Sequence, residues 1–544
     1  MKKIAILVSL LVLVSLISLT FSCSGNKATT TTPPQITTTP PNTTVTTPPA
    51  PTAQYGGDFK ILFNDTPKNL GWPGAPASGS SLHMPSCCVE GLIVLDRAGK
   101  GQLSPWLATS WEYNADHTTL TFHLKQNVKF QDETPFNADA VKYVFDLEKA
   151  NKISDLDTVT SVTVIDPSTV QLSLSSFDVK LLASFYQDGV TRMFSPTYLK
   201  SATSDDAMMH PVSTGPYKFD SYNPNVALKF VRFDDYWGGK PYLDSVTYVI
   251  NMDPVTTVMS YKSGEDQAIW NLTPKDAGDL AKDSSNTILN GPGASVGVIG
   301  MIMDSAHTDT AYAKLEVREA INHALNRQVL SDTTGLGYYD PATQWVPVGT
   351  MAYDESANQY TTFDLNQAKQ LMQQAGYQNG FSTTITFLNM NPYNDLYTLV
   401  QGQLAEIGIT VKLDAADPGR LFQTLAGGWQ NAMLWDGLQM AVGMDAGSAF
   451  YSWFSDKAMA VNAASVSYPA DYLSTLTAAN AEPDTAKRLV LLKQCEVLLN
   501  KYAIGFPLIS LKLLAVYNNK VVHGYDWGNW SSFDSSWDKI WMSK

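Results

Sequence analysis

Cysteine is scarce in this chain, with four residues in 544, and two of the four are adjacent. Such a set does not supply the disulfide framework on which small secreted domains depend. An excess of basic residues is also missing, because 37 Lys and Arg stand against 51 Asp and Glu, for a formal net charge of −14 and an isoelectric point near 4.9. Since nucleic acid is bound through a basic face that displaces counterions, we expect no nucleic-acid partner.

Enzyme signatures are missing as well. The sequence has no Gly-x-Ser-x-Gly, no His-Glu-x-x-His and no phosphate-binding loop. Ser536 and Lys539 have Ser-x-x-Lys spacing, but they stand at the C-terminal end without the motifs that accompany this pair in enzymes. We therefore predict no catalytic residue, no cofactor and no resident metal, and an anchored hydrolase is the least favoured function.

Long apolar runs are confined to the N-terminus. Lys2 and Lys3 precede an apolar run over residues 4–21, and Cys23 follows directly after Ser22. A cleaved signal peptide with a lipidated Cys23 competes with an uncleaved helix that stays in the membrane. Ser22 fits a lipoprotein signal, whereas Thr20 and Phe21 depart from the usual pattern. We predict the lipid anchor; either alternative holds the protein extracytoplasmic, on the outer face of the cell membrane.

The segment that follows is rich in Thr and Pro and almost free of apolar residues through residue 54. It cannot bury a core, and its prolines favour an extended chain. We predict a stalk that holds a globular body off the membrane surface.

The body begins with strand patterns and changes to helix–glycine–strand patterns near residue 300. Leu120, Phe122 and Leu124 alternate with polar residues, which predicts a half-buried strand. Later, Asp364 is placed to cap a helix that ends at Gly376. Such units are typical of a sheet flanked by helices.

Adjacent carboxylates, Asp132 and Glu133, could suggest an acid–base pair. They stand between a strand ending near Phe130 and a helix for which Asn137 is a good N-cap. A turn requires polar residues at such a position, whereas a catalytic pair needs surroundings that separate the two pKa values. We therefore predict a turn.

Several motifs occur in order along this body. They are Glu90-Gly91-Leu92, Pro105, Leu107, Ala108, Ser110 and Trp111, Phe122 and Leu124, Val128, Phe130, Asp132, Pro135 and Phe136, Thr214 to Tyr217, Tyr236 to Gly239, and Val317, Arg318 and Ala320. Together they resemble the motifs of the extracytoplasmic oligopeptide- and dipeptide-binding proteins, the family 5 solute-binding receptors of ABC importers. Two positions depart from the family pattern: Glu133 and Ser213 each stand where Gly is usual.

The resemblance implies an α/β fold: a two-lobed periplasmic-binding-protein-like clamp (type II, cluster C) with an additional antiparallel-rich inserted domain. Hinges are expected near residues 296–303 and 504–510. The predicted organisation is a signal peptide (1–22), a lipid-anchored stalk (23–54), a first segment of lobe I (55–90), the inserted domain (91–211), a second segment of lobe I (212–298), lobe II (299–504) and a third segment of lobe I (505–544).

The resemblance also implies a function. A monomeric receptor captures a peptide-like solute between its lobes and delivers it to the permease subunits of an ABC importer. A receptor for an oligosaccharide, or for a nickel or other metal complex, on the same scaffold is the alternative.

Trp435 and Asp436 are the leading candidates for the pocket, since an Asp shortly after a Trp in this region binds the peptide α-ammonium in relatives. Asp445 is the other acid nearby, and an ordinary loop Asp is the competing interpretation. Trp72, Tyr338 and Trp345 stand in loop-like segments that line the cleft in relatives, although structural packing remains an alternative for each.

Cys87 and Cys88 fall in a segment with His83 and Met84, all potential soft metal ligands. Adjacent cysteines do not have the usual spacing of metal ligands. A vicinal disulfide and two small buried residues are the other interpretations. We keep both cysteines as pocket candidates, because the resemblance places this segment where relatives approach their ligand.

Overall fold

The computed structural model describes residues 52–75, 80–95, 103–153, 156–185, 191–290, 295–390, 392–438, 446–456, 465–525 and 537–544. The chain divides into two units, Met1–Thr52 and Ala53–Lys544, and all described residues after Thr52 belong to the second. The predicted signal peptide, Cys23 and most of the predicted stalk lie outside the described residues.

The strands of the described residues are distributed over the whole body. In chain order they are β1 (Asp58–Phe63), β2 (Ile93–Leu95), β3 (Leu103–Pro105), β4 (Ala108–Tyr113), β5 (Thr119–Leu124), β6 (Val159–Asp166), β7 (Thr169–Leu174), β8 (Tyr217–Asn223), β9 (Ala227–Arg232), β10 (Ser245–Ile250), β11 (Ala268–Ile269), β12 (Asn286–Leu289), β13 (Ser295–Met303), β14 (Asp340–Pro341), β15 (Phe381–Leu388), β16 (Ile409–Ala416), β17 (Ala432–Leu438), β18 (Gly505–Lys512), β19 (Ala515–Asn518), β20 (Val522–His523) and β21 (Trp541–Met542).

The α-helices of the described residues become longer in the second half of the chain. They are α1 (Ser80–His83), α2 (Ala138–Ala150), α3 (Lys180–Ala183), α4 (Pro196–Ser201), α5 (Ser204–Met209), α6 (Pro254–Ser263), α7 (Pro274–Leu280), α8 (Leu315–Ala324), α9 (Arg327–Gly335), α10 (Leu365–Gln374), α11 (Tyr393–Ala405), α12 (Pro418–Gly427), α13 (Ala446–Trp453), α14 (Ala470–Ala481) and α15 (Thr485–Lys501). Every helix in these residues is too short or too polar to cross a bilayer.

Three large sheets organise the described residues. Sheet I has seven strands in the order β12-β19-β11-β1-β10-β9-β8, and sheet II has six in the order β14-β18-β13-β17-β15-β16. The inserted sheet has four strands, β4-β5-β7-β6, and is antiparallel throughout. Sheets I and II mix parallel and antiparallel pairs.

The chain enters and leaves these sheets more than once. Sheet I takes β1, β8 to β12 and finally β19, so its strands come from three separate stretches of the chain. The boundaries predicted at residues 298/299 and 504/505 fall within β13 and directly before β18, and both strands belong to sheet II. A division into domains along those boundaries stays a prediction.

Local signals in the sequence explain many of these elements. Leu120, Phe122 and Leu124 of β5 are buried, as their alternation predicts. The side chain of Asn137 accepts a hydrogen bond of 3.0 Å from the N–H of Ala140 and so caps α2. Asp364 caps α10 in the same way, through the N–H of Gln367 at 2.9 Å.

The turn at Asp132 and Glu133 is confirmed. Oδ1 of Asp132 accepts a hydrogen bond of 3.1 Å from the N–H of Thr134. Its Oδ2 accepts one of 2.5 Å from the hydroxyl of Ser195, the N-cap of α4. Glu133 is exposed, and its backbone is left-handed, with φ of 67°. The hydrogen bonds of Asp132 hold the turn together and join it to α4, which is a structural role.

Separate apolar cores hold the sheets together. Sheet II and its helices enclose the core that contains Met301, Ile321 and Leu499. Along β1 of sheet I, Phe59, Ile61 and Phe63 belong to one core while Leu62 belongs to another, because successive side chains point to opposite faces.

Candidate functional site

The parallel strands of sheet I end at one common edge. Strand β1 pairs in parallel with β10 and with β11, so the carboxyl ends at Phe63, Ile250 and Ile269 lie together. In open α/β sheets, ligands bind outside the carboxyl ends of the strands. This edge is therefore one side of the candidate site.

Sheet II has a matching edge. Strand β15 pairs in parallel with β16 and with β17, which brings together the carboxyl ends at Leu388, Ala416 and Leu438. Strand β13 is antiparallel to β17, and Val298 is the partner of Leu438. The beginning of β13 therefore lies at the same edge as the end of β17.

Two short crossings join these edges. One runs from Leu289, at the end of β12, to Ser295, and the other from Lys512 to Ala515. On the sheet II side, Ser295 pairs with Lys512. On the sheet I side, Leu289 pairs with Ala515, and the next residue of β19, Val516, pairs with Ile269 at the carboxyl end of β11. The crossings thus connect the carboxyl edge of sheet I to the carboxyl edge of sheet II, and the region between these two edges is the candidate site.

A cavity of about 240 Å³ lies beside the crossings. Among its lining residues are Asn290 from the first crossing and Ser510 and Lys512 from the end of β18. The Nζ of Lys512 is 2.9 Å from Oδ2 of Asp340 in β14, and this ion pair lies on the cavity wall. Nothing in the sequence signalled the pair, because its two members are far apart along the chain.

Trp435 and Asp436 lie near the carboxyl end of β17, on the candidate edge. Trp435 is 8% exposed, and its ring centroid is 5.8 Å from that of Tyr393 at the beginning of α11. Burial raises the pKa of Tyr393 to about 12. The backbone of Asp436 pairs with Gly300 of β13, while its side chain, like all of Asp445, is outside the described residues. Solute binding by Asp436 stays a prediction.

Trp72 lies on the segment that follows the carboxyl end of β1. Its N–H donates to Oδ1 of Asn69 at 2.9 Å, and its carbonyl oxygen accepts from Nδ2 of the same side chain at 2.9 Å. The indole is half-buried, so some of its surface can meet a solute. Trp72 therefore has the position and the exposure that the prediction requires, although its contact with a solute is untested.

Trp345 has a different environment. It is fully buried in the core of sheet II, with its ring centroid 4.8 Å from that of Phe454. A Cβ at Gly300 or at Gly505 would approach the indole within 2.6 Å, so two glycines in adjacent strands leave the space that it fills. In this structure the ring packs and offers no surface to a solute. We leave it out of the proposed binding set.

Tyr338 is half-buried and packs against the core of sheet II and against a core of sheet I. A Cβ at Gly278 of α7 would be 3.9 Å from its ring. Its contacts are thus with both halves of the body.

Cys87 and Cys88 are free, fully buried thiols, so the described structure has no vicinal disulfide between them. The Sγ of Cys88 is 3.4 Å from Oε1 of Gln131. Burial raises the pKa of Cys88 to about 12, and burial also lowers the pKa of His83 to about 4. Buried neutral groups of this kind serve as packing residues. Among the described residues, no group of three or more His, Cys, Asp or Glu side chains is arranged so that it could hold a metal ion.

Comparison with known proteins gives the fold and family. The sequence profile of bacterial extracellular solute-binding proteins, family 5, matches residues 102–460. A glutathione-binding protein of Salmonella typhi, GsiB, is 30% identical over 457 residues, covering 79% of this chain and 85% of the relative.

Two solved structures have the same fold. A periplasmic binding protein, DppA, from Helicobacter pylori in complex with the peptide STSA is 23% identical, with a TM-score of 0.76 over 90% of this chain and 99% of that one. NikA from Brucella suis in complex with Fe(III)-EDTA is 22% identical, with a TM-score of 0.79 over 90% of this chain and 100% of that one.

The predicted two-lobed α/β clamp is thereby confirmed, and the family consists of solute-binding proteins rather than enzymes. The chain belongs to the bacterial extracellular solute-binding proteins of family 5.

Proposed function

We propose that this protein is the receptor of an ABC importer and captures a peptide-like solute between sheets I and II. The observation that supports the proposal is that the two crossings connect the carboxyl edge of sheet I to the carboxyl edge of sheet II. Membership of family 5 supplies the class of function.

The crossing from Lys512 to Ala515 is the natural hinge. It is short, so bending there moves sheet II against sheet I, while its buried residues Leu513 and Leu514 stay with the cores of sheet I. A solute that contacts both edges favours the closed state, and the transporter reads that shift in population. No bond of the solute is broken.

The relatives favour a peptide-like solute. GsiB is a glutathione-binding protein and the solved DppA holds a peptide. The α-ammonium of a peptide needs a carboxylate partner when it is desolvated, and we assign that role to Asp436. NikA in complex with Fe(III)-EDTA keeps a metal complex as the alternative.

Calorimetry and thermal unfolding test the proposal with reduced glutathione, unmodified di- and tetrapeptides, an oligosaccharide and a nickel chelate. We expect a peptide to raise the melting temperature, and Asp436→Asn to weaken its binding by about tenfold or more. Asp205→Asn, at an exposed residue of α5, is the matched control and leaves binding unchanged. Stabilisation by the sugar or the chelate alone would replace the peptide proposal with the alternative.

We also propose that lipidated Cys23 anchors the protein to the outer face of the membrane, with the Thr- and Pro-rich segment as spacer. Cells that express the full chain and its Cys23→Ser variant are to be fractionated and the N-terminal peptide analysed by mass spectrometry. We expect acyl chains on Cys23 and release of the variant. An unmodified Cys23 within an uncleaved N-terminus would favour the membrane-helix alternative.

A further inference from the structure

We infer that one proton, shared between Glu496 and Asn500 of α15, fastens the segment over residues 343–357 to this helix, so that the receptor binds its solute less tightly in an alkaline medium. We call these two side chains the α15 latch. The latch follows from contacts within the described residues, whereas its effect on solute binding rests on the proposed function.

The α15 latch holds three backbone groups of this segment. Oε1 of Glu496 accepts a hydrogen bond of 2.8 Å from the N–H of Trp345. Nδ2 of Asn500 donates to the carbonyl oxygens of Thr343 and Ala357, at 2.9 and 3.3 Å. Glu496 is fully buried and Asn500 is 1% exposed, so water cannot replace these hydrogen bonds unless the segment moves. The two side chains therefore decide whether the segment stays against α15.

Each side chain of the latch has one oxygen without a hydrogen-bond partner among the described residues, Oε2 of Glu496 and Oδ1 of Asn500. Four positions separate the two residues on α15, which places them on one face with Cβ atoms about 5–6 Å apart. A carboxylate oxygen and an amide oxygen are both acceptors, so each stays unpaired when the carboxyl group is ionised. A proton on Oε2 makes that oxygen a donor, and its hydrogen bond to Oδ1 satisfies both groups.

Neutral surroundings favour the protonated carboxyl group. Burial raises the pKa of Glu496 to about 8, and the hydrogen bond from the N–H of Trp345 opposes this shift. Tyr472 of α14 and Cys495 of α15 are the titratable groups that interact with this carboxyl group, and burial raises the pKa of both. Both are therefore neutral in the pH range where Glu496 titrates. Tyr468 lies beyond Tyr472, with the two ring centroids 6.1 Å apart.

Charged residues of the elements packed against α15 have other partners. The pKa of Asp354 is lowered by hydrogen bonds from Ser356 and, less strongly, by Lys493 of α15. Lys512 of β18 forms its ion pair with Asp340. Among the described residues, no charged side chain contributes to the pKa of the latch carboxyl group, so a proton is the available way to satisfy it.

The fastened segment supports the strand that leads to the hinge. Just before it, β14 pairs with Ser510 and Ile509 of β18. The N–H of Ala342 also donates to the carbonyl oxygen of Leu508 at 3.2 Å. Strand β18 continues into the crossing from Lys512 to Ala515. A segment that leaves α15 therefore loosens sheet II beside the hinge, and the closed state around a solute loses stability.

Alkaline pH removes the proton from the latch. Below a pH of about 8 Glu496 is neutral and the latch is intact, whereas above it the ionised carboxylate leaves two buried acceptors side by side. At pH 9 about one tenth of the molecules keep the proton, so the affinity for a solute falls by about tenfold. Glu496→Gln has no proton to lose, because its amide oxygen accepts from Trp345 and its N–H donates to Asn500 at every pH.

Hydrogen exchange measured by mass spectrometry on the full chain in detergent tests the latch without any solute. After correction for intrinsic exchange rates, we expect residues 343–357 of the wild type to lose most of their protection between pH 6 and pH 9. Glu496→Gln should keep its protection, and Glu406→Gln, at an exposed position, is the matched control that behaves like the wild type. Constant protection in the wild type, or an equal loss in Glu496→Gln, would overturn the latch. So would protection that sodium or calcium restores at pH 9, since a cation would then take the place of the proton.

Should Glu496→Gln fail to fold, infrared difference spectra of the wild type decide, because the latch requires the loss of a neutral carboxylic acid over the same pH range. A spectrum without that loss would overturn the inference.

Titration calorimetry with a peptide tests the effect on solute binding. Because the α-ammonium of a peptide also titrates near pH 8, the wild type is compared with Glu496→Gln at each pH. We expect equal affinities at pH 6 and a wild type that binds about tenfold more weakly than the variant at pH 9. Equal affinities at pH 9 would overturn the effect on the solute. Absence of binding to any peptide would overturn the proposed function, while hydrogen exchange would still decide whether the latch exists.

Discussion

The backbone N–H of Trp345 donates a hydrogen bond of 2.8 Å to Oε1 of Glu496, a fully buried carboxyl group on α15. The second oxygen of that carboxyl, Oε2, has no hydrogen-bond partner among the described residues. Burial raises the pKa of Glu496 to about 8, and the hydrogen bond from Trp345 opposes this only partially. At neutral pH the folded protein therefore holds a proton that the unfolded chain releases.

Stability should consequently fall as pH rises. An unfolded glutamate titrates near 4.5, so the contribution of this proton is present in full below that pH and is lost as pH rises through about 8. We expect Glu496→Gln to flatten the dependence of the free energy of unfolding on pH between about 5 and 8. Urea unfolding across this range measures it, with Glu406→Gln at an exposed position as control. Parallel profiles for wild type and Glu496→Gln would contradict the prediction.

Trp345→Ala should lower the stability of the fold more than it lowers the affinity for a solute. The variant removes a fully buried ring packed against Phe454 and leaves a cavity, for which we expect a loss of about 3–5 kcal/mol in the free energy of unfolding. Trp72→Ala, at a half-buried ring on the candidate edge, should lose less stability and more affinity. Chemical denaturation measures the stability of both variants, and calorimetry measures their affinity for a solute. Together they show whether each tryptophan packs in the core or binds the solute. A stable Trp345→Ala protein with weakened binding would restore Trp345 to the binding set.

Glu90 joins the inserted domain region to sheet I. Its carboxylate, fully buried, accepts hydrogen bonds from the indole N–H groups of Trp106 and Trp237, both at 2.9 Å, from the hydroxyl of Tyr236 at 2.8 Å and from that of Thr214 at 2.7 Å. Burial raises the pKa of Glu90, and these four donors oppose the shift. The carboxyl group is thus the common acceptor for side chains from several loops.

Glu90→Ala leaves all four donors without this acceptor, and we expect it to cost about 3 kcal/mol or more. Trp106→Phe removes one donor and retains an aromatic ring, so its expected cost is about 1 kcal/mol. Urea denaturation of both variants gives the comparison. Equal losses in the two would mean that the other three hydrogen bonds contribute little.

Sequence patterns predicted the structural features that depend only on residues close to one another along the chain. The alternation in β5, the capping of α2 by Asn137 and the turn at Asp132 are each decided within a few residues. They could not predict that Trp72 is half-buried whereas Trp345 is fully buried. Both residues stand in loop-like sequence, and the burial of each ring depends on strands that are distant along the chain. The cavity was hidden for the same reason, because its wall forms only when β14 and β18 pair.

Glu133 has a left-handed backbone, with a φ of 67°. A left-handed backbone costs a residue with a Cβ roughly 1–2 kcal/mol, whereas Gly adopts it freely. Gly also makes the unfolded chain more flexible, which offsets some of the gain. We expect Glu133→Gly to raise the free energy of unfolding by about 0.5–1 kcal/mol. Thermal unfolding measures the gain, and Glu133→Ala, which keeps the Cβ, should show none.

The three cysteines of the body should resist modification in the folded protein. Cys87, Cys88 and Cys495 are all fully buried, and burial raises the pKa of Cys88 and of Cys495 to about 12, so little reactive thiolate forms at neutral pH. We expect iodoacetamide to label none of them in the native state near neutral pH and all three in urea without reductant. Peptide mass spectrometry counts the labels on a chain that begins after the stalk. Labelling of Cys495 alone in urea would reveal a disulfide between Cys87 and Cys88. Rapid labelling of any of the three cysteines in the native state would mean that the core around that cysteine opens far more readily than its packing suggests.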